Sequence, residues 1–309
     1  MPDKNKNFFV IIVAVIAVLA LFFFFWNLTV NDLTSDDSLY AFRAVGWFDY
    51  LGGGQTTPVQ WFGEIPAWAK LSFHDGPPLV FAILHLFFRL FGSSVLVARL
   101  PFALAGLAVV FLVYLMFKWS VGKKPALLAA FLASFVSYGV WAARAGYLEG
   151  MEVLFIVLSL LFFVGYIYRR RPYFIILWLM ALGLALMAKY TAMFLIPAYG
   201  LYCLIWERKI FRQKEFWLGV IIFLLILSPM IIYNLKVFQT RGHLDAVWSS
   251  TFGIETDDFI GLSGRKVGIN YWGNWWEFFR TSAGLYSYPF FALWLLSLGF
   301  LIYRAIINK

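Results

Sequence analysis

The sequence predicts an all-α integral membrane protein, a polytopic bundle of about eight transmembrane helices. Apolar residues make up 62% of the 309 residues and charged residues only 13%, whereas a soluble domain carries roughly 25% charged residues. The apolar residues fall into runs of about 17 to 23, the length a helix needs to cross roughly 30 Å of hydrocarbon. A transmembrane barrel is excluded, because its strands would alternate in polarity at every second residue.

The first predicted span covers residues 8–26, directly behind Lys4 and Lys6. It is longer than a signal-peptide core and has no small-residue cleavage site, so we expect an uncleaved span. Seven further apolar segments read as spans: approximately 95–117, 125–142, 148–168, 172–188, 190–206, 216–234 and 286–303.

One more apolar run, 77–92, decides the topology. If it spanned, the basic clusters at 118–124 and 169–171 would face outward, against the rule that cytoplasmic loops collect Lys and Arg. We therefore expect it to lie along the outer surface as an amphipathic helix, with His85 and Arg89 on one face. A tilted re-entrant or spanning helix is the alternative. The N-terminus is then cytoplasmic.

In this topology a single transmembrane domain over 1–309 carries two large extracytoplasmic loops, 29–94 and 235–285. The first loop holds a predicted amphipathic helix near 36–50 as well as the helix at 77–92. The net charge of +9 comes from basic residues in the short inner loops. Because this placement is explained by membrane topology, we predict membrane lipid as a partner and no nucleic acid. The single cysteine, Cys203, excludes an intrachain disulfide and a cysteine metal cluster.

Asp36 and Asp37 lie a few residues beyond the first span and are the strongest candidate for catalysis. Adjacent carboxylates point in different directions on a helix, so one can face a pocket while the other faces solvent or caps the helix. Capping is the competing interpretation, because Thr34, Ser35 or Asp36 makes a good N-cap and acids suit a first turn.

His74 and Asp75 open the interfacial helix and are candidates for binding a substrate or steering a proton. One His and one acid are fewer ligands than a protein metal site usually has. We therefore predict no metal and no cofactor. A divalent cation would require the fold to bring Asp36, Asp37, His74 and Asp75 together.

Ionisable residues also recur at the predicted outer ends of the spans. Such charges usually pair or line a watery cavity. Arg144 and Glu149 are placed to form a salt bridge, and Arg99 or Lys189 to snorkel to the interface. All of them fall on the same face as Asp36, which indicates a site. These residues are Arg99, Arg144, Glu149, Glu152 and Lys189.

Cations and carboxylates at a membrane boundary suit a lipid-phosphate substrate. The cations would hold the phosphate, and a carboxylate would accept the proton of an attacking hydroxyl. Because phosphate leaves as a stable anion, the second carboxyl group that glycoside hydrolysis requires is not needed.

Five short motifs stand in order along residues 8–200: Asp36-Asp37 with Tyr40, His74 to Leu79, Phe91-Gly92 with Arg99-Leu100-Pro101, Arg144 with Glu149, and Gly183 to Lys189. They resemble the polytopic GT-C glycosyltransferases, in the branch of dolichyl-phosphate-mannose protein mannosyltransferases and bacterial aminoarabinose transferases acting on lipid A. The corresponding family motifs are Asp-Glu-x-x-Tyr, Lys- or His-Pro-Pro-Leu, Phe-Gly with Arg-Leu-Pro, Arg-x4-Asp and Gly-Leu-Ala-x-x-Thr-Lys.

The resemblance implies a transferase that takes a sugar from a polyprenyl-phosphate donor at the outer leaflet of the cell membrane and inverts the anomeric centre. By position, Asp36 would be the base, Asp37 would orient it or bind the acceptor, and Tyr40 would contact the donor. The candidates for holding phosphate or stabilising the site would be Arg99, Arg144 and Lys189, with Glu149 as their pairing partner. The acceptor would be a protein hydroxyl, a lipid or a surface glycan.

Several positions depart from the family pattern. Gly76 stands directly before Pro77-Pro78, which removes an expected contact unless His74 replaces it. Leu39 stands where some lipid A-modifying relatives have Arg, and Ala188 replaces the Thr before Lys189. Family members commonly continue with more spans, so we expect a short relative or a chain truncated at its C-terminus.

Two other functions compete with the transferase. A lipid-linked sugar flippase or transporter would also place polar groups in an apolar bundle, but transporters usually place them near midplane on broken helices in paired repeats. An inactive structural subunit would tolerate loss of the Asp36 carboxylate.

Overall fold

The computed structural model describes residues 4–34, 36–45 and 77–254, with four further helical residues at 292 and 295–297. These ranges consist of helices joined by turns and contain no strand. The helices are α1 (Lys4–Phe25), α2 (Asp36–Val45), α3 (Leu79–Phe91), α4 (Val95–Ser120), α5 (Lys123–Ala133), α6 (Ser137–Ala145), α7 (Leu148–Arg169), α8 (Tyr173–Ala188), α9 (Leu195–Trp206), α10 (Lys214–Arg241) and α11 (Ala246–Phe252). Two 3-10 helices, Tyr190–Phe194 and Arg208–Arg212, flank α9.

The all-α polytopic prediction is confirmed, and helices occupy every predicted span from 8–26 to 216–234. Three of them, α4, α7 and α10, are individually long and apolar enough to cross a membrane, and α5 with α6 makes a fourth if the pair is counted as one span. α8 is shorter, with 16 residues, which span about 24 Å at 1.5 Å per residue. The predicted span at 286–303 lies almost entirely outside the described residues.

The predicted continuous span at 125–142 is wrong in detail, because α5 and α6 meet at a bend of 56°. Ser134 explains the break. Its hydroxyl donates to the carbonyl oxygen of Phe131 at 2.6 Å, and the backbone N–H of Phe135 bonds to Leu132 three residues back. Side-chain bonding to the last turn competes with continuation of the helix.

The amphipathic helices α2 and α3 pack against each other rather than standing alone. Ala41 and Ala44 of α2 share a buried cluster with Val80, Phe81 and Leu84 of α3. The ring Nδ1 of His85 lies 2.7 Å from the carbonyl oxygen of Ala44, so this side chain faces protein. At 13 residues, α3 is shorter than a straight span requires.

The bundle is built around α4, α7 and α8, with α10 packed on α8 and α1 and α6 packed on α4. Gly106 of α4 permits the closest approach, because an added Cβ would lie 2.6 Å from the Phe24 ring of α1 and 2.9 Å from Ala143 of α6. This packing places the start of α2, α4 and α7 at the end of the bundle where α6 and α8 finish. We call this the polar end; it carries Asp37, Arg99, Arg144, Glu149 and Lys189.

Candidate functional site

Asp37 and Arg99 form a buried ion pair at the centre of the polar end. Arg99 Nη2 lies 3.2 Å from Asp37 Oδ2, and the two side chains are 9% and 7% exposed. The other carboxylate oxygen, Oδ1, accepts from the backbone N–H of Ser38 at 2.9 Å and of Thr34 at 3.2 Å. Asp37 therefore fixes the start of α2 and joins it to α4.

Arg99 also ties down the chain that follows α1. Its Nη1 donates to the carbonyl oxygens of Leu28 and Asn31, both at 2.7 Å, and its Nη2 donates to that of Asp32 at 3.1 Å. These carbonyls follow a helix end, where backbone acceptors lack intrahelical donors. The guanidinium thus holds the connection between α1 and α2 in place.

Asp36 has a different environment from its neighbour. It is exposed, and its side-chain hydrogen bond in the described part of the chain comes from the Tyr40 hydroxyl at 3.5 Å, one turn further along α2. Asp37, which was not among the predicted N-caps, therefore holds the start of the helix, while the Asp36 carboxylate is open to a ligand.

Arg144 lies at the end of α6 and contacts α1, not Glu149. Its Nη2 donates to the carbonyl oxygen of Trp26 at 2.6 Å and its Nη1 to that of Phe23 at 3.2 Å. The predicted salt bridge between Arg144 and Glu149 is wrong, because the left-handed turn at Gly146 (φ +79°) redirects the chain between the two residues.

Glu149 instead pairs with Lys189 across α7 and the end of α8. Three residues further along α7, on the same face, Glu152 is buried and its Oε1 accepts from the Thr191 hydroxyl at 2.5 Å. Lys189 keeps 32% of its side chain exposed, so a ligand can reach this side chain beside the carboxylate.

A row of aromatic rings runs from Tyr40 to Trp141. The Tyr40 ring lies 6.5 Å from that of Tyr147, edge to face, and Tyr147 lies 4.6 Å from Trp141. An open cavity of about 230 Å³ adjoins Trp141, lined also by Arg99, Arg144 and residues after α1.

Asp245 is a buried polar residue that the sequence analysis did not select. It is 1% exposed, and its Oδ2 accepts from the Tyr190 hydroxyl at 2.6 Å and from Asn234 Nδ2 at 2.9 Å. Its Oδ1 caps α11 through the backbone N–H of Trp248 at 2.9 Å. Its position between a predicted span and a polar stretch gave no signal, because its two side-chain donors lie 55 and 11 residues away.

His74 and Asp75, the remaining predicted site residues, lie outside the described residues. Among the residues that the structure does describe, no group of three or more His, Cys, Asp or Glu side chains is arranged to hold a metal ion.

The fold matches two crystal structures of ArnT from Cupriavidus metallidurans. The match to the form bound to undecaprenyl phosphate has a TM-score of 0.54 at 22% identity, covering 74% of this chain and 42% of that one. The match to the apo form has a TM-score of 0.55 at 18% identity, covering 94% and 55%. The protein is thus an integral membrane protein with the GT-C glycosyltransferase fold.

The chain belongs to the dolichyl-phosphate-mannose-protein mannosyltransferase family, whose model matches residues 75–233. It is 28% identical over 239 residues to an uncharacterized protein of Aquifex aeolicus (strain VF5), covering 76% of this chain and 45% of the relative. It is also 28% identical over 141 residues to YycA of Bacillus subtilis (strain 168), whose description proposes a mannosyltransferase, covering 45% and 21%. The chain spans less than half the length of these two relatives.

Proposed function

We propose that this protein transfers a sugar from a polyprenyl-phosphate donor to an acceptor hydroxyl at the extracytoplasmic face of the membrane, with inversion at the anomeric carbon. Family membership supports a glycosyltransferase. A structural neighbour bound to undecaprenyl phosphate supports a lipid-phosphate partner.

The contrast between Asp36 and Asp37 carries the proposal. Asp37 is committed to Arg99 and to two backbone N–H groups, and its loss would disturb the fold. Asp36 is exposed at the same helix start, with the Tyr40 hydroxyl 3.5 Å away. A general base must reach the proton that it abstracts, and Asp36 is the carboxylate of the pair that a substrate can approach.

In the proposed reaction Asp36 accepts the proton of the acceptor hydroxyl, while the oxygen of that hydroxyl forms a bond to the anomeric carbon. The bond from that carbon to the phosphate oxygen breaks, and its electron pair leaves with polyprenyl phosphate. One displacement at the anomeric carbon inverts its configuration.

The Lys189 ammonium is our candidate for holding the donor phosphate, with Glu149 fixing its position. A fixed cation stabilises the charge that develops on the leaving phosphate. Arg99 acts here as a positioning residue, since its terminal nitrogens already hold Asp37 and three carbonyl oxygens. We predict no metal or other cofactor in this reaction.

The test is sugar transfer from a panel of radiolabelled polyprenyl-phosphate sugars by the full chain in native-like membranes that retain endogenous acceptors. Asp36→Asn keeps the size of the side chain and removes its basicity, so we expect the rate to fall about 100- to 10,000-fold. Donor binding should stay within about twofold of wild type, because this carboxylate does not hold the phosphate.

Asp32→Asn is the matched control. Asp32 is an exposed carboxylate near the same helix start whose Oδ1 bonds to the neighbouring backbone N–H of Leu33, and this variant should retain wild-type transfer. An Asp36→Asn variant that transfers sugar at the wild-type rate would refute the base assignment. Wild-type protein that moves the lipid-linked sugar across the bilayer without transferring it would refute the transferase in favour of a flippase.

A further inference from the structure

The cavity at the polar end lies between the end of α1 and the last turn of α6. Its volume is about 230 Å³, and its lining includes Asn27, Asn31, Arg99, Trp141 and Arg144. A water molecule occupies about 30 Å³ of liquid, so the space corresponds to about eight waters. That is room for one small polar group and too little for a lipid chain.

The cavity carries a net positive charge. The charge of Arg99 is balanced by Asp37 at 3.2 Å. Arg144 donates instead to the neutral carbonyl oxygens of Phe23 and Trp26, and within the described ranges it forms no ion pair. The carbonyl end of α1 carries only a partial negative charge, which is less than the full charge of the guanidinium, so the cavity keeps a positive charge and favours an anion.

The other lining groups suit a ligand with hydroxyl groups. Asn27 and Asn31 are exposed, and neither amide side chain has a hydrogen-bond partner in the part of the chain that the structure describes. Asn27 is held in the left-handed region, with φ +53°. Trp141 is 47% exposed. Its indole ring also contacts Tyr138 and Tyr147, and the exposed part offers apolar surface to the C–H groups of a sugar or polyol.

A chain of side-chain contacts leads from the cavity lining to the candidate base. The Trp141 ring contacts that of Tyr147, the Tyr147 ring contacts that of Tyr40, and the Tyr40 hydroxyl donates to Asp36. Lys189, to which we assign the donor phosphate, is not among the residues that line this cavity. The hydroxyl that Asp36 deprotonates attacks the anomeric carbon opposite the departing phosphate, so acceptor and donor phosphate need separate places.

We infer that this cavity binds the acceptor through an anionic, hydroxyl-bearing head group, such as a sugar phosphate or glycerol phosphate at the end of a lipid or glycan. The inference rests on the proposed function for the role of the ligand, and on the cavity alone for its chemistry. It selects an anionic lipid or glycan acceptor over a neutral protein hydroxyl.

The test is equilibrium dialysis of radiolabelled glucose 6-phosphate, and of glucose, against the full chain in phosphatidylcholine nanodiscs. We expect glucose 6-phosphate to bind about tenfold more tightly than glucose, because only the phosphate meets the Arg144 charge. Asn31→Asp adds a negative charge to the lining and leaves the backbone carbonyl that Arg99 holds, so it should weaken glucose 6-phosphate binding about tenfold.

Gln239→Glu is the matched control, because it adds the same charge to an exposed position of α10 away from this lining; it should bind as wild type does. Trp141→Leu should weaken glucose and glucose 6-phosphate by the same factor. Undecaprenyl phosphate in the nanodisc should not displace glucose 6-phosphate.

Equal affinity for glucose and glucose 6-phosphate, or unchanged binding by Asn31→Asp, would overturn the anion site. Displacement by undecaprenyl phosphate would reassign the cavity to the donor and overturn the acceptor role. A chain that transfers sugar but does not bind glucose 6-phosphate refutes this inference alone, whereas one that binds it but transfers no sugar refutes the proposed function.

Discussion

At the scale of single residues, two adjacent aspartates have different roles although their side chains are chemically identical. Asp37 is 7% exposed and satisfied by Arg99 and backbone N–H groups, whereas Asp36 is exposed one position earlier. Residues one apart on a helix point about 100° from each other, so one faces the bundle and the other faces away. The sequence identified the pair, but which carboxylate faces the bundle depends on the contacts of each side chain, which only the structure shows.

Replacing Arg99 with Lys tests the structural half of this division. Lysine keeps the charge but offers a single point donor, whereas Arg99 holds four acceptors with two nitrogens. We expect Arg99→Lys to lower the free energy of unfolding by about 1–3 kcal/mol, measured by thermal unfolding of the full chain. Arg89→Lys, at an exposed position of α3, should leave the melting temperature unchanged. Equal melting of wild type and Arg99→Lys would contradict this role.

At the scale of elements, a buried polar cluster joins three segments beside Lys189. Asp245 accepts from Tyr190 in the 3-10 helix after α8, from Asn234 in α10 and from the first turn of α11. Asn234 Oδ1 in return accepts from the backbone N–H of Asp245 at 2.9 Å. Loss of any one of these donors leaves the buried carboxylate partly unsatisfied, which costs stability.

Removing the Tyr190 hydroxyl therefore leaves a buried charge with one donor fewer. We expect Tyr190→Phe to lower the free energy of unfolding by about 1–3 kcal/mol. Backbone hydrogen exchange should become faster in α11, and the increase there should be larger than in α7. Tyr168→Phe, at a side chain that is 56% exposed, is the matched control and should exchange as wild type does. If α11 exchanged at the same rate in Tyr190→Phe as in wild type, the cluster would not hold that helix.

At the scale of the whole molecule, apolar run length predicted where the helices lie, because each span must bury its own backbone in hydrocarbon. Charge placement predicted that the ionisable residues meet at one end, and the contacts of Asp37 with Arg99 and of Glu149 with Lys189 bear this out. The sequence did not predict which charged side chains form ion pairs. A salt bridge between Arg144 and Glu149 was expected, but the turn at Gly146 separates the two residues. Nor did the sequence predict the break at Ser134, which depends on one hydroxyl.

The predicted topology is tested by cysteine accessibility. Native Cys203 is 1% exposed and should give little background. Ser93→Cys, just before α4, should react with a membrane-impermeant maleimide in intact cells, because that end is proposed to face outward. Lys124→Cys, at the start of α5 among the basic residues, should react only after permeabilisation. The reverse labelling pattern would contradict an extracytoplasmic site.

The most direct test of the central claim compares Asp36→Asn with Asp37→Asn for both sugar-transfer rate and melting temperature. We predict that Asp36→Asn loses about 100-fold or more in rate and melts as wild type does, while Asp37→Asn melts at a lower temperature because the Arg99 charge is left buried without its partner. An Asp37→Asn protein that is inactive yet melts normally, beside an active Asp36→Asn protein, would contradict the division of roles on which the proposed function rests.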